Sequence, residues 1–107
     1  MSKNKEFSIT SAERYSLALF ELANENNVLT QLENQSSSIL DLISSSKDFS
    51  NLIKDPTNSR DDLLKVINGI FDNKFEILLK NFLNFLIIKR RFFYIERILK
   101  SFIETCS

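Results

Sequence analysis

Backbone punctuation is almost absent from this chain: across 107 residues there is one proline, Pro56, and one glycine, Gly69. Tight reversals between strands draw on those residue types at defined positions, so few can be built here. Leu, Ile, Phe, Lys, Glu and Asn dominate, and the apolar residues recur at helical spacing with almost no strand-like alternation. The chain therefore reads as all-α, a six-helix bundle in a single domain over residues 1–107. Its length suffices for a modest core without metal or disulfide support.

The same spacing divides the chain. Thr10-Ser11-Ala12-Glu13 has the form of a capping box, with hydroxyl and carboxylate reaching the backbone reciprocally, so a first helix is predicted over 11–25. It ends among Asn24, Asn26 and Asn27. A second helix carries Val28, Leu32, Ile39 and Ile43 at helical period, flanked by Leu29, Leu40 and Leu42, up to Ser44, Ser45 and Ser46. The period continues through Ser36, Ser37 and Ser38, so these small residues read as a helix crossing rather than a linker. A short third helix over 48–53 is stopped by Asp55-Pro56, because proline lacks the amide donor and restricts its predecessor. A fourth follows Asn58-Ser59, with Ser59-x-x-Asp62 as a weaker cap, and Gly69 lies near its end. The fifth, over 74–89, is the most apolar. A charged joint, Lys89-Arg90-Arg91, separates it from a sixth over 92–104.

Several chemistries are excluded by what the chain lacks. There is no histidine and one cysteine, Cys106, which leaves no ordinary zinc site, no histidine base and no intrachain disulfide. A phosphate-binding loop cannot be made from one glycine. No cofactor site is expected. The adjacent carboxylates Asp61 and Asp62, and those of Asp72 and Glu76, read as charges favoured at helix N-termini. Lysine plus arginine balances aspartate plus glutamate at 14 each, which argues against general nucleic-acid affinity. The longest apolar run, Phe85-Leu86-Ile87-Ile88, is far short of the roughly 20 residues of a membrane span, and no signal peptide or arginine-rich presequence is visible in the opening residues. A soluble, cytosolic, non-enzymatic protein is expected, without direct membrane insertion.

Two helices carry more apolar surface than one core contact uses. In the first, Ala12, Ser16, Leu19 and Ala23 form one stripe with Phe20 at its margin, and Tyr15, Ala18 and Leu22 form a second beside it. In the fifth, Phe75, Leu79, Phe82, Leu83 and Leu86 make one face, while Ile77, Leu78, Asn81, Phe85 and Ile88 lie round the corner. Either both helices are central and wholly buried, or together they wall a groove. Ala18 would let another backbone approach closely, and Tyr15 offers an apolar ring with a polar tip suited to a partly wet interface. Such a groove accepts an amphipathic helix.

The stretches AERYSLALFELANEN, SKDFSNLIKDP and NFLNFLIIKRR, followed by an isoleucine- and phenylalanine-bearing last helix, resemble in order and spacing the N-terminal domain of the delta subunit of F-type ATP synthase, called the oligomycin-sensitivity-conferring protein (OSCP) in mitochondria. The similarity spans nearly the whole chain. It implies a non-catalytic stator component on the inner face of a bacterial cell membrane, supporting proton-driven ATP synthesis as part of a peripheral complex. The implied partner is the N-terminal helix of an alpha subunit, held between helices one and five by Tyr15, Ala18 and Leu22 on one wall and Leu78, Asn81, Phe85 and Ile88 on the other.

Departures from the family are also visible. The family continues into a second domain that meets the peripheral stalk b subunit; with that domain absent from this chain after Ser107, the expectation is either an excised fragment or a missing stalk contact. Ser16 stands where alanine is common, and the stretch from Arg90 to Tyr94 is more aromatic than the family pattern. The alternative reading is a small helical regulator that binds nucleic acid through Lys89, Arg90 and Arg91.

Overall fold

The computed structural model describes residues 3–71 and 75–106, with side chains described from Ser11 onward. Within these lie six helices: α1 (Lys3–Glu25), α2 (Leu29–Ser45), α3 (Lys47–Lys54), α4 (Arg60–Phe71), α5 (Ile77–Ile88) and α6 (Ile95–Cys106), the last preceded by a 3-10 turn at Phe92–Tyr94. No strand occurs among the described residues.

The chain turns without glycine. After α1, Asn27 adopts φ 57°, its N–H donates to the Asn24 carbonyl at 3.2 Å, and the Val28 N–H donates to the Ala23 carbonyl at 3.0 Å. This pair of bonds is a Schellman closure, and asparagine tolerates its left-handed position better than most residues. The α5 terminus repeats it with an arginine. Arg90 has φ 59°, with bonds from Arg90 N–H to Ile87 at 3.1 Å and from Arg91 N–H to Leu86 at 2.8 Å.

Side-chain caps open α3 and α4, whereas α2 starts after Val28 without one. The Ser46 hydroxyl accepts from the Phe49 amide at 3.2 Å to open α3, and Ser59 accepts from Asp62 at 3.1 Å to open α4, as the Ser59-x-x-Asp62 pattern predicts. Asp55, held extended before Pro56 at φ −76° and ψ 113°, closes α3.

Three boundaries differ from expectation. α1 begins at Lys3, so Thr10 sits inside a helix rather than at its start; the Thr10 side chain, on which the expected capping box rests, lies outside the described residues. Nothing between residues 3 and 10 breaks a helix, and a capping pattern without a breaker before it does not start one. α5 begins at Ile77 rather than Lys74, which also lies outside the described residues. The Glu76 carboxylate takes the N-cap, accepting from the Leu78 amide at 2.9 Å, while the Glu76 amide donates to Gln35 on α2 at 2.9 Å. The sixth segment opens as a 3-10 turn because the Schellman closure at Arg90 has already redirected the chain, and α6 proper runs on to Cys106.

The core follows the expected stripes. Ala12, Ser16, Leu19 and Ala23 of α1 are buried, as are Leu79, Phe82, Leu83 and Leu86 of α5 and Ile95, Ile98, Leu99 and Phe102 of α6. α6 is packed against both α1 and α2. Between α1 and α6, the Ser16 hydroxyl donates to the Glu13 carbonyl at 2.9 Å and lies 3.0 Å from the Ser101 hydroxyl. Serine in place of alanine thus adds a polar tie in an otherwise apolar contact. Of the three consecutive serines only Ser36 is buried; Ser38 faces outward and bonds back to the Asn34 carbonyl at 3.2 Å.

Candidate functional site

The apolar block Leu17-Ala18-Leu19-Phe20 distributes itself as helix geometry demands. Leu19 is fully buried, Phe20 is half-buried, Leu17 is 51% exposed, and Ala18 is exposed. The second stripe of α1 stays uncovered: Tyr15 is half-buried and Leu22 is 44% exposed. On α5, Leu78 is half-buried, Asn81 is exposed, and Phe85 is 43% exposed. Full burial of both helices is therefore not what the domain adopts.

These two surfaces face one cavity. A groove of about 640 Å³ is lined by Tyr15, Ala18 and Leu22 from α1 and by Leu78, Asn81 and Phe85 from α5. Tyr15 and Phe85 close it at one end as an edge-to-face aromatic pair with centroids 6.2 Å apart. The Lys89 ammonium lies 5.9 Å from the Phe85 ring centroid, a cation–π contact just outside.

Six of the seven expected residues thus share the groove. The seventh, Ile88, does not line it. It is 48% exposed one turn beyond Phe85 on the same stripe of α5, past the end where Tyr15 and Phe85 meet.

Sequence reasoning missed Asn26, Val28 and Glu76 as lining residues, and it assigns Phe82 to the buried face of α5 alone. Asn26 and Val28 arrive through the Schellman closure after α1, and Glu76 through its N-cap role. Both are consequences of helix termini that a stripe projection leaves out. Ile77 was placed on the correct face. At 60% exposed it stands at the rim.

Lys89, Arg90 and Arg91 are all exposed, and their backbone is spent on closing α5. They do not join the groove lining. No group of His, Cys, Asp and Glu that could hold a metal ion occurs among the described residues, and no helix there is long and apolar enough to cross a membrane.

The described residues thus form an all-helical domain with an uncovered apolar groove between α1 and α5. A family model described as ATP synthase delta (OSCP) subunit matches residues 12–107, and the chain belongs to that family. The ATP synthase subunit delta of Pelagibacter ubique (strain HTCC1062) is 60% identical over 108 residues, covering 100% of this chain and 58% of that protein. The subunit delta of Mycoplasma mobile is 34% identical over 93 residues, covering 87% of this chain and 52% of that protein. In the cryo-EM structure of the Toxoplasma gondii mitochondrial ATP synthase hexamer, one chain superposes with a TM-score of 0.80 at 26% identity, over 85% of this chain and 51% of its own length. This chain therefore spans little more than half the length of the relatives it matches.

Proposed function

We propose that this domain is a non-catalytic stator element of an F-type ATP synthase, which clamps the catalytic head by holding the N-terminal helix of an alpha subunit in the groove between α1 and α5. In that assembly it lies peripheral to the membrane. The contact to the peripheral stalk b subunit belongs to a further domain, of the kind the longer relatives have room for.

One observation carries this reading: Tyr15, Ala18, Leu22, Leu78 and Phe85 leave apolar surface open on a single groove. From Tyr15 to Leu22 the wall is about 10 Å long at 1.5 Å per residue, which suits two turns of a helix with anchors at i, i+3, i+4 and i+7. Burying three or four anchors contributes roughly 2 kcal/mol each, and covering Leu22 and Phe85 adds to that. After the cost of ordering a flexible segment, micromolar affinity is expected, about −8 kcal/mol.

Titration calorimetry of this chain with a synthetic alpha N-terminal peptide tests the proposal. Saturable binding with a negative heat-capacity change, the mark of apolar burial, supports it. Absence of heat at several temperatures with the peptide at millimolar concentration rejects it.

A further inference from the structure

A second cleft opens on the other side of α5. Its lining includes Ile87, which is two residues from Phe85 and so about 200° away around the helix. The cleft measures about 440 Å³ and lies between the α3–α4 joint and the turn that follows α5. Its apolar part is made by Ile53, Leu63, Ile87, Phe92 and Phe93. Phe93 is 55% exposed, with its ring set against Tyr94 at a centroid distance of 4.2 Å.

Charge around this cleft is one-sided. Lys54, Arg60 and Arg90 all line it, against a single carboxylate, that of Asp55. None of the three cations has a carboxylate within ion-pair distance among the described residues. Asp55 is already engaged: its Oδ1 accepts from the Thr57 amide at 2.9 Å and from the Thr57 hydroxyl at 2.6 Å.

Arg90 adds a second, independent observation. It occupies the left-handed C′ position of the α5 Schellman closure, where glycine is the residue without strain. A bulky cation is held at a site that favours glycine, and its side chain lines the cleft. Strain of this kind gathers where a side chain has work to do.

We propose that this cleft is a docking surface for an acidic protein segment, one that seats an apolar side chain on Ile87, Phe92 and Phe93 and pairs carboxylates with Lys54, Arg60 and Arg90. This site is separate from the α1–α5 groove and does not depend on the function proposed for it. Charge complementarity selects the occupant, since three cations unpaired among the described residues, set round an apolar floor, match carboxylates flanking an apolar anchor. A polynucleotide fits less well. The chain has no net positive charge, and phosphate binding rests on excess cations rather than on an apolar seat.

The test is an NMR titration of the 15N-labelled chain with two capped octapeptides that share a Leu-Phe centre, one flanked by Asp and Glu, the other by Asn and Gln. Saturable shifts at Lys54, Arg60, Arg90 and Phe93 with the acidic peptide, at least tenfold weaker with the amide peptide, are expected. Arg90→Gly should weaken the acidic peptide about tenfold while leaving the melting temperature unchanged or higher, because it relieves the left-handed strain. A purely structural arginine would not separate those two readouts. Lys54→Gln, on a different element, should weaken binding without touching the α5 terminus. Equal binding of both peptides, absence of saturable shifts, shifts confined to other surfaces, or tighter binding of oligothymidylate than of the acidic peptide at physiological salt would each overturn the proposal.

Discussion

The Tyr15 ring of α1 stands edge-on to the Phe85 ring of α5, with centroids 6.2 Å apart and planes at 65°. Neither ring is sealed, since Phe85 is 43% exposed and Tyr15 half-buried. The pair bridges the two groove walls while leaving aromatic surface exposed. A double-mutant cycle on Tyr15→Leu and Phe85→Leu should return a coupling of about 0.5–1.5 kcal/mol in denaturant unfolding. Additive effects would show that the rings do not couple the two walls.

Ala18 presents only a methyl group to the groove. In the free domain it faces solvent, so Ala18→Asp should change stability by less than about 0.5 kcal/mol. Bound to a helix, the carboxylate would be buried without a partner, and peptide binding should be lost. A folded Ala18→Asp chain that binds as well as the parent would remove Ala18 from the interface.

The block that contains Ala18 offers an internal contrast. Leu19 is fully buried and Leu17 is 51% exposed. Leu19→Ala should cost about 2–5 kcal/mol through lost burial and a residual cavity, whereas Leu17→Ala should cost little. Similar melting shifts for the two would contradict the assigned orientation of α1.

Much of this was legible beforehand because helical period is a property of side-chain spacing alone. The stripe Ala12, Ser16, Leu19 and Ala23 and the surplus at Tyr15, Ala18 and Leu22 can be projected without knowing any neighbour. What escaped depends on tertiary partners or terminal geometry. The start of α5 is set by Gln35, forty-one positions away, which accepts from the Glu76 amide. Ile87 belongs to neither projected stripe, yet it is buried, on the side of α5 that shares a cleft with Ile53, Leu63 and Phe92. Ile88 sits on the expected stripe, but the groove ends before it.

The Asn27 closure next to the groove can be probed through backbone preference. Asn27→Gly should be neutral or slightly stabilising, while Asn27→Val should cost about 1–2 kcal/mol, because a β-branched residue resists positive φ. Thermal melts of the two variants read the difference. A stable Asn27→Val chain would mean that the turn after α1 is not held as described.

Cys106 has its thiol pKa pushed up, first by partial burial and then by the Glu33 carboxylate. Its folded pKa is raised above the unfolded value, so the associated stability is present below the unfolded thiol pKa and is lost as pH rises through the folded one. Alkylation near pH 8 should be slower than for a free thiol, and Glu33→Gln should speed it. An ordinary thiol rate, unchanged by Glu33→Gln, would contradict this.

In the proposed assembly a foreign helix completes the packing between α1 and α5. The most direct measurement is an NMR titration of the 15N-labelled chain with the alpha N-terminal peptide. Saturable shifts centred on Ala18, Leu22, Leu78 and Phe85 are expected, with the amides of Lys89, Arg90 and Arg91 little changed. Shifts centred on those three cationic residues, or no saturable shift at all, would contradict the proposed assembly.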